Sequence, residues 1–212
     1  MADSARASDD RARLAALGLC LALAASPFAL VTVPPATDLA QHAAQVRLLE
    51  EQLGLAPITT SSALYEVRWG APNTLVYGWL FLWRRLLPPV VASKVAWAGL
   101  ALLAVAATHA LARARRRPIA QAMIASIPVF GLSLHWGFAA FMLGSIAALL
   151  ALDAVLRPPD PERPGRDAAK VGALLLFVYL SHALFWAALF AAWLASTAGR
   201  GRPFAKERLR AL

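Results

Sequence analysis

The chain has 212 residues, 59% of them hydrophobic and only 16% charged, whereas a soluble domain carries about 25% charged residues. Its apolar residues gather in continuous Ala/Leu-rich runs near the length that crosses a hydrocarbon core of about 30 Å, which excludes a soluble enzyme and an alternating β-barrel alike. The net charge of +9 comes from short Lys/Arg clusters beside those runs, an arrangement that anchors helix ends at headgroups rather than binding nucleic acid, and Cys20 alone permits no disulfide or zinc framework.

Residues 1–13 read as a short polar cytoplasmic tail without fixed structure, with Arg6, Arg11 and Arg13 against Asp3, Asp9 and Asp10. Residues 14–33 form the first span of a transmembrane domain that covers 14–198. A cleaved signal peptide is the competing reading, since Ala24, Ala25 and Ser26 are small. Against it, the apolar run continues through Phe28, Leu30 and Val31. Cys20 falls within this span, as an inert residue of a membrane helix.

Residues 34–71 make an outer loop too long for a simple connector. Its first half, about 38–53, has the period of an amphipathic helix on the membrane surface. Thr37 serves as its cap and Asp38 sits in the first turn, where the helix dipole favours a negative charge. Leu39, Ala43, Val46, Leu49 and Leu53 form the apolar stripe, interrupted by Glu50, and Gly54 ends it. Asp38, His42 and Gln45 share one flank of that stripe. After it come Thr59, Thr60, Ser61 and Ser62, then the interfacial Tyr65-Glu66-Val67-Arg68-Trp69.

Residues 72–87 are apolar but short, bounded by Arg84, Arg85 and Pro88-Pro89, and read either as a short span or as a segment that dips in and returns. Residues 90–112 are a span closed by Arg113, Arg115, Arg116 and Arg117. Residues 119–156 exceed one helix and divide near His135-Trp136-Gly137 into a hairpin, with Pro128 kinking the first arm. Gly131, Gly137, Gly144 and Ser145 provide close-packing positions on it, and Asp153 is spaced to pair with Arg157. Residues 170–198 form the last span and 199–212 a basic tail. The expected architecture is therefore an all-α polytopic bundle of five or six spans. Lys and Arg divide almost evenly between the two faces on either count, so the positive-inside rule does not choose between them.

The polar residues near the membrane are the candidates for chemistry. Asp38 is placed to act as a general base, with a dipole-compensating role as the structural alternative. His42 lies four residues on, on the same face. The pair would serve acid–base chemistry, but two ligands fall short of the three protein ligands of a catalytic zinc, so a divalent metal is only an open possibility. Arg47 and Arg68 are candidates for holding a lipid phosphate, with local ion pairing as the alternative. His135 and His182, like His109, are ionisable groups in or at the ends of apolar runs, where a polar role in the bundle is the default expectation.

Together, an N-terminal tail, one span, an outer-loop Asp38, a surface helix and the Ala71-Pro72-Asn73-Thr74-Leu75-Val76-Tyr77 start of the next segment resemble the N-terminal part of bacterial GT-C superfamily glycosyltransferases. The resemblance implies a multi-pass protein of the inner (plasma) membrane that transfers a sugar from a polyprenyl-phosphate donor. By position Asp38 would be its base, with His42 orienting it. Leu39 stands where that family often has a second acidic residue, Pro72 lacks a partner proline, and five or six spans are fewer than members have. The alternative is a non-enzymatic bundle, an accessory or assembly subunit or a transporter-like protein. Neither reading fixes an oligomeric state.

Overall fold

A computed structural model describes residues 2–33, 36–59, 64–158 and 162–200. Pro34, Pro35, Thr60, Ser61, Ser62 and the basic tail beyond Arg200 lie outside the described residues. The described chain is all α, in the order α1 (Ala2–Leu30), α2 (Leu39–Gln52), α3 (Thr74–Leu86), α4 (Pro89–Ala114), α5 (Ile119–Ser126), a 3-10 turn (Ile127–Phe130), α6 (Leu132–Trp136), α7 (Ala139–Leu156), α8 (Pro164–Ser181) and α9 (Ala183–Arg200). By length and composition four helical stretches suffice to cross a membrane: Asp9–Leu30, Pro89–Ala114, Ile119–Trp136 and Ala139–Leu156. The chain is an integral membrane protein with several spans.

Two elements differ from the expected layout, and two others take a form that the sequence allowed. The polar segment before the first span is helical from Ala2, continuous with α1, and Arg13 pairs with Asp9 one turn away at 2.8 Å. Segment 72–87 yields the 13-residue α3, about 20 Å long and too short to cross. The stretch from 119 to 136 is broken where Pro128 removes a backbone donor, giving the 3-10 turn between α5 and α6.

The second difference is the larger. Residues 170–198 do not make one span: the helix stops at Ser181, His182 is extended (φ −168°, ψ 124°), and α9 restarts at Ala183. Val171 and Leu175 of α8 share one cavity with Phe190, Trp193 and Thr197 of α9. In a straight helix Val171 and Trp193 would lie roughly 33 Å apart, so α8 and α9 fold back as a hairpin. His182 turns the corner by accepting the Leu184 N–H on Nδ1 at 3.3 Å. The turn sits on Gly144 of α7, where a Cβ would stand 2.4 Å from the His182 Cβ. A side chain at 144 would push the turn away, so the absence of one is what lets it dock.

Three clusters hold the bundle together. Cys20 and Ala24 of α1 pack on Val105 of α4. Val76, Leu80, Trp97, Leu100 and Ala104 of α3 and α4 meet Ala139, Met142 and Ile146 of α7. Ala151 and Val155 of α7 meet Val178 and Leu189 of the hairpin. One end of the bundle is tied by charge: Arg113 lies 3.5 Å from Asp10, and Asp153 binds Arg115 at 2.8 Å as well as its expected partner Arg157. Away from this end, α2 packs along α3 and reaches the first turns of α4.

Candidate functional site

The site is built where the chain turns from α6 into α7. A helix end leaves carbonyls without intrahelical partners, and Gly137 ends α6 in the left-handed region (φ 81°). The carbonyls of three consecutive residues there face the start of α2. The Thr37 N–H donates to His135 O and the Asp38 N–H to Trp136 O, both at 3.1 Å, and the His42 ring bonds Gly137 O through Nε2 at 3.0 Å. A Cβ at Gly137 would stand 3.0 Å from the Asp38 nitrogen, so glycine both makes the turn and permits the approach.

This docking changes the expected capping. Asp38, not Thr37, is the N-cap residue of α2, and its side chain makes no capping hydrogen bond. The Thr37 N–H and hydroxyl both go instead to the His135 carbonyl, the hydroxyl at 3.5 Å. Asp38 as a whole is half-buried. Nearby, the Tyr77 hydroxyl donates to Gln45 Oε1. Burial raises the Tyr77 phenol above the usual tyrosine range, and the Asp38 charge adds to it.

The buried face of α2 is rotated from the expected stripe. Val46 and Leu49 are buried as expected, but Ala43 and Leu53 are exposed. His42 and Glu50 join the buried face instead, at 9% and 3% exposure. The reason is that α2 does not lie free on a surface: it packs along α3 and reaches α4. The His42 ring sits 5.8 Å from that of Tyr77 and 5.7 Å from that of Trp97. Glu50, which interrupts the apolar stripe, faces Arg84 of α3 at 3.9 Å.

Arg47 and Arg68, the expected phosphate ligands, are not brought together. Arg47 binds Glu51 at 2.8 Å and lines a cavity between α2, α3 and α4. Glu51, 2% exposed, also accepts from the backbone and hydroxyl of Thr59 at 3.0 and 2.8 Å, which fastens the loop after α2. Arg68 is 83% exposed, 3.9 Å from Glu66. It borders a different cavity, of about 510 Å³, beside Leu49, Tyr77 and Phe81.

The histidines expected within the membrane separate as well. His135 is exposed and enters the site through its backbone carbonyl. His182 is the corner of the α8–α9 hairpin, ringed by Phe141 and Phe185 at 5.7 Å each. Among the described residues no group of three or more His, Cys, Asp or Glu side chains gathers as a metal would need. Sequence reasoning missed Trp97, Tyr77 and Arg84. Trp97 lies in a uniformly apolar run that conceals its N–H. The signal for Arg84 was Glu50, a carboxylate in an apolar stripe that requires a buried partner.

Comparisons with protein-family models, with curated proteins and with solved structures give no match to this chain.

Proposed function

We propose that this integral membrane protein is a GT-C-like glycosyltransferase of the inner membrane, acting on a polyprenyl-phosphate-linked sugar. The observation that carries the reading is the placement of Asp38. The residue is held by backbone bonds at the start of α2 beside the α6–α7 turn, half-buried, with its side chain unused as a cap. Asp38 accepts the proton of an acceptor hydroxyl as that oxygen bonds to the anomeric carbon. The bond from that carbon to the donor phosphate breaks, and polyprenyl phosphate leaves. His42 orients the start of α2 through its bond to Gly137. The order span, outer Asp, two short outer helices, span is in keeping with the layout that such enzymes share.

The test is transfer from a polyprenyl-phosphate-linked sugar by the full chain in proteoliposomes. Asp38→Asn is expected to lose about two orders of magnitude or more, as removal of a general base does. Unchanged transfer by a folded Asp38→Asn protein removes Asp38 as the base.

One observation favours the non-enzymatic reading, an accessory or assembly subunit. Arg68 or Arg47 would hold the leaving phosphate, yet each already faces a carboxylate, Glu66 at 3.9 Å and Glu51 at 2.8 Å. Absence of transfer by the wild-type chain, with a partner retained through purification, would select it.

A further inference from the structure

Between α2, α3 and the first turns of α4 lies a cavity of about 200 Å³, walled by Leu39, Val46, Leu80 and Ala96. His42 and Trp97 also line it. Both are more than nine-tenths buried, at 9% and 0% exposure. Each has a buried polar atom without a partner, Nδ1 of His42 and Nε1 of Trp97. Such atoms are rare in folded proteins unless water or a ligand meets them.

Their chemistry is fixed by what surrounds them. The Gly137 carbonyl can only accept, so the His42 Nε2 that it meets at 3.0 Å carries the hydrogen. In the neutral ring Nδ1 is then a bare acceptor, while the indole Nε1–H of Trp97 can only donate. An acceptor and a donor thus stand on adjacent rings, with centroids 5.7 Å apart. At the mouth, Arg47 is balanced by Glu51 and Arg84 by Glu50.

We propose that this cavity binds a neutral polyol group, one hydroxyl of which accepts from Trp97 Nε1 and donates to His42 Nδ1. A hydroxyl does both; a carboxylate or a sulfate dianion has no hydrogen for Nδ1, and an ammonium cannot accept from the indole. Both arginines that line the cavity already face a carboxylate, which weakens their pull on an anion. The polyol comes either from solution or from the terminal glycerol of phosphatidylglycerol with its acyl chains left in the bilayer. The site needs nothing from Asp38 and stands or falls independently of glycosyl transfer.

The test uses the full chain in nanodiscs with isotope-labelled tryptophan, the Trp97 indole resonance being assigned by its loss in Trp97→Phe. In phosphatidylcholine discs, glycerol and myo-inositol are titrated, with inorganic sulfate as the anion probe; a second set of discs contains phosphatidylglycerol. A saturable Trp97 N–H shift with the free polyols assigns the solution source. A shift that appears only on changing to phosphatidylglycerol assigns the lipid source. His42→Phe is expected to weaken either response about tenfold. Should that variant not fold, Trp97→Phe, read on labelled His42, is expected to do the same. An unmoved Trp97 signal under every condition means that water alone fills the cavity and overturns the proposal. So does a response to sulfate equal to that to glycerol, or binding unaltered in a folded variant.

Discussion

Replacing Gly144 by alanine should destabilise this protein although alanine is the better helix former. In the middle of a helix the exchange by itself contributes about 1 kcal/mol of stability. At Gly144, however, the new Cβ would stand 2.4 Å from the His182 Cβ and 2.8 Å from Cδ2 of Phe185. Carbon pairs settle at about 3.5–4.0 Å, so the hairpin corner must retreat by about 1 Å. The nearer atom is a Cβ, fixed to the backbone, and cannot swing aside as a side-chain tip would. Overpacking of this kind costs about 1–3 kcal/mol, and the backbone movement puts Gly144 in the upper part of that range. The net loss is about 1–2 kcal/mol, or roughly 2–8 °C in melting temperature for a chain of this size. Gly172→Ala is the matched control, a helical glycine of α8 whose Cβ would meet nothing within 4 Å. It should gain up to about 1 kcal/mol. Thermal unfolding of both proteins in the same detergent reads the two signs. If Gly144→Ala melts at or above the wild-type temperature while Gly172→Ala behaves as expected, the hairpin corner does not rest on α7.

Glu51→Gln leaves Arg47 and Thr59 without their buried anion and should lower stability by about 2–3 kcal/mol; limited proteolysis should then cut first in the loop after α2. The Tyr77 phenol, raised by burial and by the Asp38 charge, holds its proton more tightly folded than unfolded. Its contribution to stability is complete below the unfolded phenol's range and is lost as pH rises through the folded one. Tyrosinate absorbance against pH should show this late titration, and Asp38→Asn should bring it earlier; an unmoved curve would separate Asp38 from Tyr77. Asp153→Asn removes the anion shared by Arg115 and Arg157 and should cost about 1 kcal/mol or less, since all three side chains are partly exposed. A deficit as large in high salt as in low would argue against a charge effect.

What was legible in the sequence follows how local each signal was. The split of the long apolar stretch at Gly137 was readable because glycine after a short helix is a local stop, and so was the end of α2 at Gly54, which has φ 69°. Pro128 marked its break for the same reason. The corner at His182 carried no such mark: Ser181, His182 and Ala183 contain neither proline nor glycine. The only sign was length, since one straight helix over 170–198 would be about 43 Å long and overshoot the bilayer. The site was half legible. Asp38 and His42 declared themselves as polar residues after a span, but the rotation of α2 depends on Trp97 and Arg84, far along the chain. A residue such as Glu50 shows that a partner is needed without showing which one.

The joint between α2 and the α6–α7 turn has a consequence for inheritance. Of the bonds that the His135, Trp136 and Gly137 carbonyls accept from the α2 segment, two come from backbone N–H groups and two from side chains, the Thr37 hydroxyl and the His42 ring. Every amino acid but proline supplies such an N–H. Substitutions other than proline at 37 and 38, and substitutions at 135 and 136, would therefore keep the backbone half of the joint, while Gly137 and His42 are open to loss by single replacement. Descendants of this chain that keep those two residues and admit no proline at 37 or 38 would still fasten α2 to the α6–α7 turn in the same register.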